Sequence, residues 1–153
     1  MAVFNVTGMR ETIVSLHKME KDTTAVADAM VSTAAAIVAE SWRYQIAAHG
    51  HVDTGALFDS IKPGKPKNVG GNRGVVVFPR GKDKKGRAKP VTNAEKGMIA
   101  NYGRKHQSGT HWRDKADKAA EGPAVEAMEN IFDEWLWTGN LPTPGEDWAD
   151  FVL

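Results

Sequence analysis

The hydrophobic and polar positions along the chain change their period twice, which predicts a helical part, a strand-rich part and a second helical part. From residue 24 to residue 49, apolar side chains recur every three or four positions, as on one face of a helix. The predicted buried face carries Val26, Met30, Ala34, Ile37, Ser41, Tyr44 and Ala48. Gly50 follows, and glycine commonly takes the left-handed conformation that ends a helix. The pattern therefore predicts a long helix that ends near residue 50.

The residues before this helix predict a short strand and a first helical segment. Val3-Phe4-Asn5-Val6 has the composition of a strand, and an apolar stripe then starts near Met9. Asp22-Thr23-Thr24 is expected to break or recap the helix. Farther along, Ala34-Ala35-Ala36 reflects either high helix propensity or the close approach of a second element.

Strand and turn signals dominate from residue 52 to residue 103. Ala56 to Ile61 predicts a short turn leading into a strand, and Gly70 to Gly74 predicts a hairpin turn. Val75-Val76-Val77-Phe78 predicts a strand, because β-branched and aromatic residues favour extended backbone. Gly97 to Gly103 predicts another strand, with a glycine at each end.

The C-terminal part is predicted to be helical again. A helix starts at Trp112, and Gly122-Pro123 either interrupts it or forms the first turn of a successor. A strong apolar stripe follows, made of Ala124, Val125, Met128, Ile131, Phe132, Trp135 and Leu136. Residues 140–153 form an extension that either folds back as a flap or docks on a neighbour as an arm.

These elements predict an α+β fold in one domain over residues 1–139. The long N-terminal helix and the C-terminal helix are expected to pack on a small, mostly antiparallel β-sheet. A length of 153 residues, with 41% apolar and 25% charged residues, is typical of one globular domain. The absence of cysteine excludes disulfides, cysteine-ligated zinc and a thiol nucleophile. We see no signal peptide and no apolar run of about 18 residues, so we expect a soluble protein without membrane contact.

Charge is unevenly distributed along the chain. A long exposed loop is predicted over residues 80–96, and its first part, residues 80–89, contains six basic residues: Arg80, Lys82, Lys84, Lys85, Arg87 and Lys89. Asp83 is the single acidic residue within 80–89, whereas the C-terminal end is acidic. Such a loop is suited to sequence-independent contact with DNA phosphates, although it lacks interleaved aromatic residues and a purely solvated loop is the alternative. A chain with a basic segment in its middle and an acidic C-terminal end can also associate head to tail with copies of itself.

The stretch Val52-Asp53-Thr54-Gly55-Ala56 has two interpretations. An aspartic protease carries Asp-Thr-Gly at its active site, where the carboxylate activates water. In such enzymes the motif lies between strands, whereas here a long helix leads into it, and Asn101-Tyr102-Gly103 is a poor match for the apolar-apolar-Gly element that supports the motif. The second interpretation is a structural turn made by Asp53, Thr54 and Gly55, after which Leu57 and Ile61 return the chain to the core.

The other candidate chemistry is weaker. His49 and His51 are two residues apart and His106 and His111 are five apart, and neither spacing matches a zinc site. The serines lack a nucleophile-elbow pattern, and Gly70 to Gly74 lacks the end of a phosphate-binding loop. We therefore predict no catalytic residue, no metal and no cofactor.

The order of elements and one motif resemble the neck, or tail-completion, proteins of tailed bacteriophages. Members typically carry Pro-Val-Asp-Thr-Gly-Xaa-Leu-Xaa-Xaa-Ser-Ile after the first long helix, and residues 51–61 match this stretch except for His51 in place of proline. Ile99 to Gly103 is similar to the family's aromatic-Gly strand end, with Asn101 for the usual acidic residue and Arg104 for the usual Thr. Gly122-Pro123-Ala124 is similar to the entry of its last helix, displaced by an inserted segment. The resemblance covers roughly residues 9–137.

The resemblance implies a virion protein at the head–tail junction or tail end, which assembles in the host cytoplasm and is not an enzyme. Its members form rings, so a homo-oligomeric hexamer or dodecamer is expected, next to connector, tail-terminator or tail-tube proteins. Genomic DNA would pass through the channel, facing the basic loop. Aromatic residues suited to a subunit interface are Trp135, Trp137, Trp148 and Phe151. The alternatives are a small DNA-associated protein that binds through residues 80–89 and, less favoured, an aspartic protease.

Overall fold

The computed structural model describes the backbone of residues 9–52, 54–83 and 91–140, and the side chains in these ranges from residue 22 onward. The described residues form four helices and eight short strands. The helices are α1 (Met9–Ala48), α2 (Ala56–Ser60), α3 (Asn93–Tyr102) and α4 (Trp112–Thr138). The strands are β1 (Ile61–Pro63), β2 (Lys67–Val69), β3 (Asn72–Gly74), β4 (Val77–Pro79), β5 (Lys82–Asp83), β6 (Val91–Thr92), β7 (Gly103–Arg104) and β8 (Gln107–Ser108). The predicted α+β class is confirmed, and the strand predicted at residues 3–6 lies outside the described residues.

Helix α1 is one continuous helix of 40 residues, about 60 Å long at 1.5 Å per residue. The predicted break at residues 22–24 is wrong: the backbone stays helical through them, because Asp and Thr lower helix propensity only slightly. Helix α4 packs antiparallel along α1, and the Ser41 hydroxyl donates to the Ala116 carbonyl oxygen at 2.9 Å. From this register, α1 extends about ten residues beyond the C-terminal end of α4.

The buried face of α1 differs from the predicted one. Its buried residues are Val26, Ala35, Ala39, Trp42 and Ile46. Val26 was predicted correctly, but Tyr44 is 69% exposed and Ala48 is exposed too. The prediction omitted Trp42, whose large side chain sets which face turns inward.

Alanines line the contact between α1 and α4. Helix α4 buries Ala116, Ala120, Ala124 and Ala127, and α1 buries Ala35 and Ala39. Such small side chains let two helix backbones approach closely. Of the two interpretations of residues 34–36, close approach therefore holds at Ala35.

The strands are antiparallel as predicted, but they form four separate two-stranded ladders rather than one sheet. The pairs are β1 with β4, β2 with β3, β5 with β6 and β7 with β8. The predicted turn is present at Gly70 and Gly71, which both have positive φ. The strand predicted at residues 75–78 starts later, at Val77, because residues 72–74 pair back on β2.

Two predictions between residues 80 and 103 are wrong. Residues 97–103 were expected to form a strand, yet they belong mainly to α3, which begins with a capping box between Thr92 and Glu95. The exposed loop predicted over residues 80–96 is interrupted by β5 and β6, and its last residues lie in α3. Residues 84–90 lie outside the described part of the chain.

Helix α4 runs without a break through Gly122 and Pro123, so neither predicted interruption occurs. Because Ala120 and Ala124 are both buried, the helix is held on each side of Pro123. Gly139 ends α4 with φ of 65°, and its N–H donates to the Trp135 carbonyl oxygen at 2.8 Å.

The core lies where α1 meets the start of α4, α2, β1 and α3. Trp42 and Trp112 pack edge to face there, with 5.5 Å between ring centroids, and Ile46 and Ile61 are fully buried. By length and composition the Asp22–Ala48 part of α1 also qualifies as a membrane span, contrary to the sequence expectation. The same segment supplies Trp42 and Ile46 to this core, so it acts as a packing helix in the structure.

Candidate functional site

The chain changes direction in a corner, residues 50–61, that joins α1 to β1. Gly50 and Gly55 have positive φ values of 69° and 73°, a conformation that glycine adopts without steric cost. The Thr54 hydroxyl donates to Asp83 Oδ2 at 3.1 Å. Thr54 and Gly55 therefore form the predicted turn, whereas Asp53 lies outside the described residues.

Two apolar residues of the corner anchor it to the core. Leu57 lies in the single turn of α2 and is 6% exposed, and Ile61 begins β1 and is fully buried. The carbonyl oxygen of Ile61 also accepts a hydrogen bond from the Arg43 guanidinium at 2.7 Å. The predicted return of the chain to the core through Leu57 and Ile61 is confirmed.

Asp83 ties the corner to residues 80–96, which we call the basic segment. Although it is charged, its side chain is buried, where it accepts from Thr54 and forms an ion pair with the Lys96 ammonium. A buried carboxylate is tolerated when it is paired in this way. Nearby, the Asn93 side-chain amide donates to the Arg80 carbonyl oxygen at 2.7 Å. Both ends of the basic segment are therefore fixed beside the corner.

The basic run along the chain begins earlier than the predicted residue 80. Arg80 and Lys82 are exposed, whereas the predicted contact residues Lys84, Lys85, Arg87 and Lys89 lie outside the described residues. Residues 61–82 contain six basic residues and no acidic one, and those not predicted are Lys62, Lys65, Lys67 and Arg73. These four basic residues can be recognised from the sequence, because Asp and Glu are absent from all 22 positions of residues 61–82.

A cleft of about 370 Å³ lies against the corner. Its lining includes His51, Lys96 and Arg104. His51 Nε2 lies 2.9 Å from the Thr110 hydroxyl. Burial lowers the pKa of His51, and the nearby His49 lowers it further, so both effects favour a neutral imidazole. The cleft combines a neutral histidine with cationic hydrogen-bond donors, which suits it to polar contacts.

The histidines do not assemble a metal site in the described part of the chain. The His49 and His51 rings stack with 6.3 Å between centroids, and His49 Nε2 lies 3.0 Å from the Lys115 ammonium. His111 contacts Asp114 at 3.3 Å, and His106 is exposed in the turn between β7 and β8. Across the described residues, no group of three His, Asp or Glu side chains is positioned to hold an ion.

Two of the predicted interface aromatics, Trp135 and Trp137, lie toward the C-terminal end of α4. Trp137 is 89% exposed, and Trp135 is half-buried with its ring 5.9 Å from that of Phe132. Trp148 and Phe151 lie outside the described residues. Exposed apolar side chains of this size often mark a contact with another protein.

No protein-family model, curated protein or solved structure matches this chain. The resemblance to phage neck proteins therefore stays a prediction from residues 51–61 and from the order of elements.

Proposed function

We propose that this chain is a non-enzymatic structural protein of a tailed bacteriophage. It forms a homo-oligomeric ring at the head–tail junction or tail end, around the channel through which DNA passes. Connector, tail-terminator or tail-tube proteins are its neighbours in the virion.

The corner at residues 50–61 carries this proposal. Its residues follow the neck-protein signature, and the described ones have architectural roles. Gly55 turns the chain, Leu57 and Ile61 fill the core, and the Thr54 hydroxyl is bonded to Asp83. A sequence motif that sets the angle between a long helix and the following strands has a structural role, which suits a protein that functions by assembling with other subunits.

Two surface features support a role in assembly around DNA. The end of α4 exposes large apolar side chains, which favour association with another subunit. The basic segment starts and ends at fixed positions beside the corner, so each subunit of a ring would present it at an equivalent place. Closely spaced cations facing a channel attract phosphate without reading sequence.

Electron microscopy tests the proposal. The purified protein should form closed rings with an open centre, and an antibody against it should label the head–tail junction of virions that contain it. Label on another part of the particle, or absence of the protein from virions, would contradict the proposed location.

A small DNA-associated protein is the second candidate, and the run of six basic residues without an acidic one favours it. This candidate predicts that the isolated monomer binds a DNA duplex with an affinity that falls steeply as salt increases. The ring proposal instead predicts weak binding by the monomer, because few phosphates contact a single copy.

A further inference from the structure

The second half of α4 carries a face of acidic and apolar side chains. Residues 119–140 contain five acidic residues and no Lys or Arg. Spacings of three and four residues place five exposed side chains on one face, which we call the acidic stripe: Glu121, Val125, Glu129, Phe132 and Leu136. Leu136 is 59% exposed. The residues that α4 packs toward α1, such as Ala124 and Ile131, lie on a different face.

The ladder of β1 and β4 carries an opposite surface. Lys62 pairs with Phe78, and the ladder continues through a 3.0 Å bond from the Gly64 N–H to the Val76 carbonyl oxygen. Because side chains alternate along a strand, one face of the ladder holds four exposed residues, which we call the basic ribbon: Lys62, Val76, Phe78 and Arg80. Phe78 is half exposed, whereas Val77 on the opposite face packs against the core.

We propose that the acidic stripe of one copy docks on the basic ribbon of the next copy. The two surfaces match in kind, because each combines exposed charge with exposed apolar side chains and the charges are opposite. Phe78 and Val76 would meet Phe132 and Val125, while Lys62 and Arg80 would meet the carboxylates. Aromatic contacts at the desolvated centre of an interface supply most of its binding free energy, and the surrounding charges set the orientation of the two partners.

The arrangement favours a second copy over DNA as the occupant of the basic ribbon. The two apolar side chains of the ribbon, Val76 and Phe78, lie between cations, and a DNA phosphate would make no favourable contact with them. The acidic stripe of the same chain would in addition repel DNA. The acidic stripe and the basic ribbon are different patches of one chain, so the contact between copies is head to tail. An open assembly of any size therefore keeps one unoccupied stripe at one end and one unoccupied ribbon at the other. Such a contact closes into a ring when its rotation allows. Only this last step rests on the proposed function.

Two single variants and their mixture test the interface. Phe132→Asp blocks the stripe and Phe78→Asp blocks the ribbon, so each full-length variant should remain monomeric in light scattering after size exclusion. An equimolar mixture should form heterodimers of twice the monomer mass and nothing larger, because one intact stripe and one intact ribbon remain. Tyr44→Asp, on an exposed part of α1, is the control and should assemble as the wild type does. Circular dichroism checks that each variant folds. Glu129→Lys is a further variant, at an exposed position of the acidic stripe, and it should also weaken assembly.

Each outcome separates the alternatives. A wild-type protein that stays monomeric at all concentrations overturns the interface. So does assembly that survives Phe78→Asp, or a mixture that remains monomeric. Loss of binding to a 30-base-pair duplex in Phe78→Asp, with assembly unchanged, would identify the ribbon as a DNA surface instead. Head-to-tail assembly of a protein absent from the head–tail junction would support this interface and contradict the proposed function.

Discussion

The two buried tryptophans are the residues on which the core depends most. Trp112 is almost fully buried, packs on Trp42, and donates from its indole N–H to the Gly97 carbonyl oxygen at 3.3 Å. Trp112→Ala should lower the free energy of unfolding by about 3–5 kcal/mol, because it leaves a large cavity. Urea unfolding measures this loss. Trp137→Ala, at an exposed position of the same helix, should change stability by no more than about 0.5 kcal/mol, and an equal loss in both variants would contradict the assignment of the core.

Gly103 is required by a close backbone crossing after α3. It has φ of 83°, and an added Cβ would lie 2.3 Å from the Gln107 carbonyl oxygen. Gly103→Ala should therefore lower the free energy of unfolding by about 1–3 kcal/mol because of its backbone conformation. The clash with the Gln107 carbonyl oxygen should add to this loss. Gly70→Ala separates the two causes, since Gly70 also has positive φ but has no atom within 4 Å of its added Cβ. Equal thermal shifts in the two variants would show that the crossing tolerates a side chain.

His51 makes stability depend on pH. Burial, and then the neighbouring His49, lower its pKa below the usual value near 6.5, so the unfolded chain binds the proton more readily. The stability that neutral His51 contributes is fully present above the pKa of His51 in the unfolded chain. It is lost as pH falls through the lower pKa of His51 in the folded protein. His51→Gln should therefore lose less stability than the wild type between about pH 7.5 and pH 5.5 in urea unfolding. His106→Gln, at an exposed turn position, should keep the wild-type dependence, and an unchanged profile in His51→Gln would refute this origin.

At the scale of elements, α4 shows that packing outweighs local sequence signals. Gly122 and Pro123 favour an end or a kink, yet the helix continues because it is buried on α1 before and after them. An added Cβ at Gly122 meets no atom within 4 Å. Gly122→Ala should thus raise the free energy of unfolding by about 0.5–1 kcal/mol through helix propensity. Thermal unfolding measures the gain, and a loss of stability would mean that glycine is needed there for a bend.

The sequence predicted elements well where one strong local signal decides the structure. Gly50 follows the end of α1 as predicted, because a left-handed residue favours the end of a helix, and the structure shows the same conformation at Gly139 after α4. The buried face of α1 differs from the predicted one because the large aromatic side chain of Trp42 outweighs several alanines in determining which side of the helix is buried. Gly97 and Gly103 favour a strand between them by local composition, but the capping box of Thr92 and Glu95 begins helix α3 there instead.

The candidate site was predictable only in part. The turn at Thr54 and Gly55 follows from residue types, but the bond from Thr54 to Asp83 joins positions 29 residues apart, and no local pattern encodes it. The basic ribbon also depends on pairing between β1 and β4, which decides that Lys62 and Phe78 share a face. Charge content is readable from sequence, whereas the surface that carries it requires the fold.

At the scale of the whole molecule, the segment after Gly139 should contribute to assembly rather than to folding. Helix α4 is capped at Gly139, and the buried residues of the described core all precede that position. A chain ending at Gly139 should keep its unfolding midpoint, but it loses the aromatic residues Trp148 and Phe151 that we expect at the subunit interface. It should form a smaller or weaker oligomer at equal concentration.

Light scattering after size exclusion, together with urea unfolding, measures both effects on the same sample. The matched control is the full-length double variant Trp148→Ala and Phe151→Ala, which keeps the chain length and the three acidic residues after Gly139. If the aromatic side chains act as anchors, the double variant should weaken assembly as much as the truncation does. An unchanged oligomer in the truncated chain would contradict the docking role of this segment. A truncated chain that unfolds at lower urea would show instead that the segment packs on its own domain.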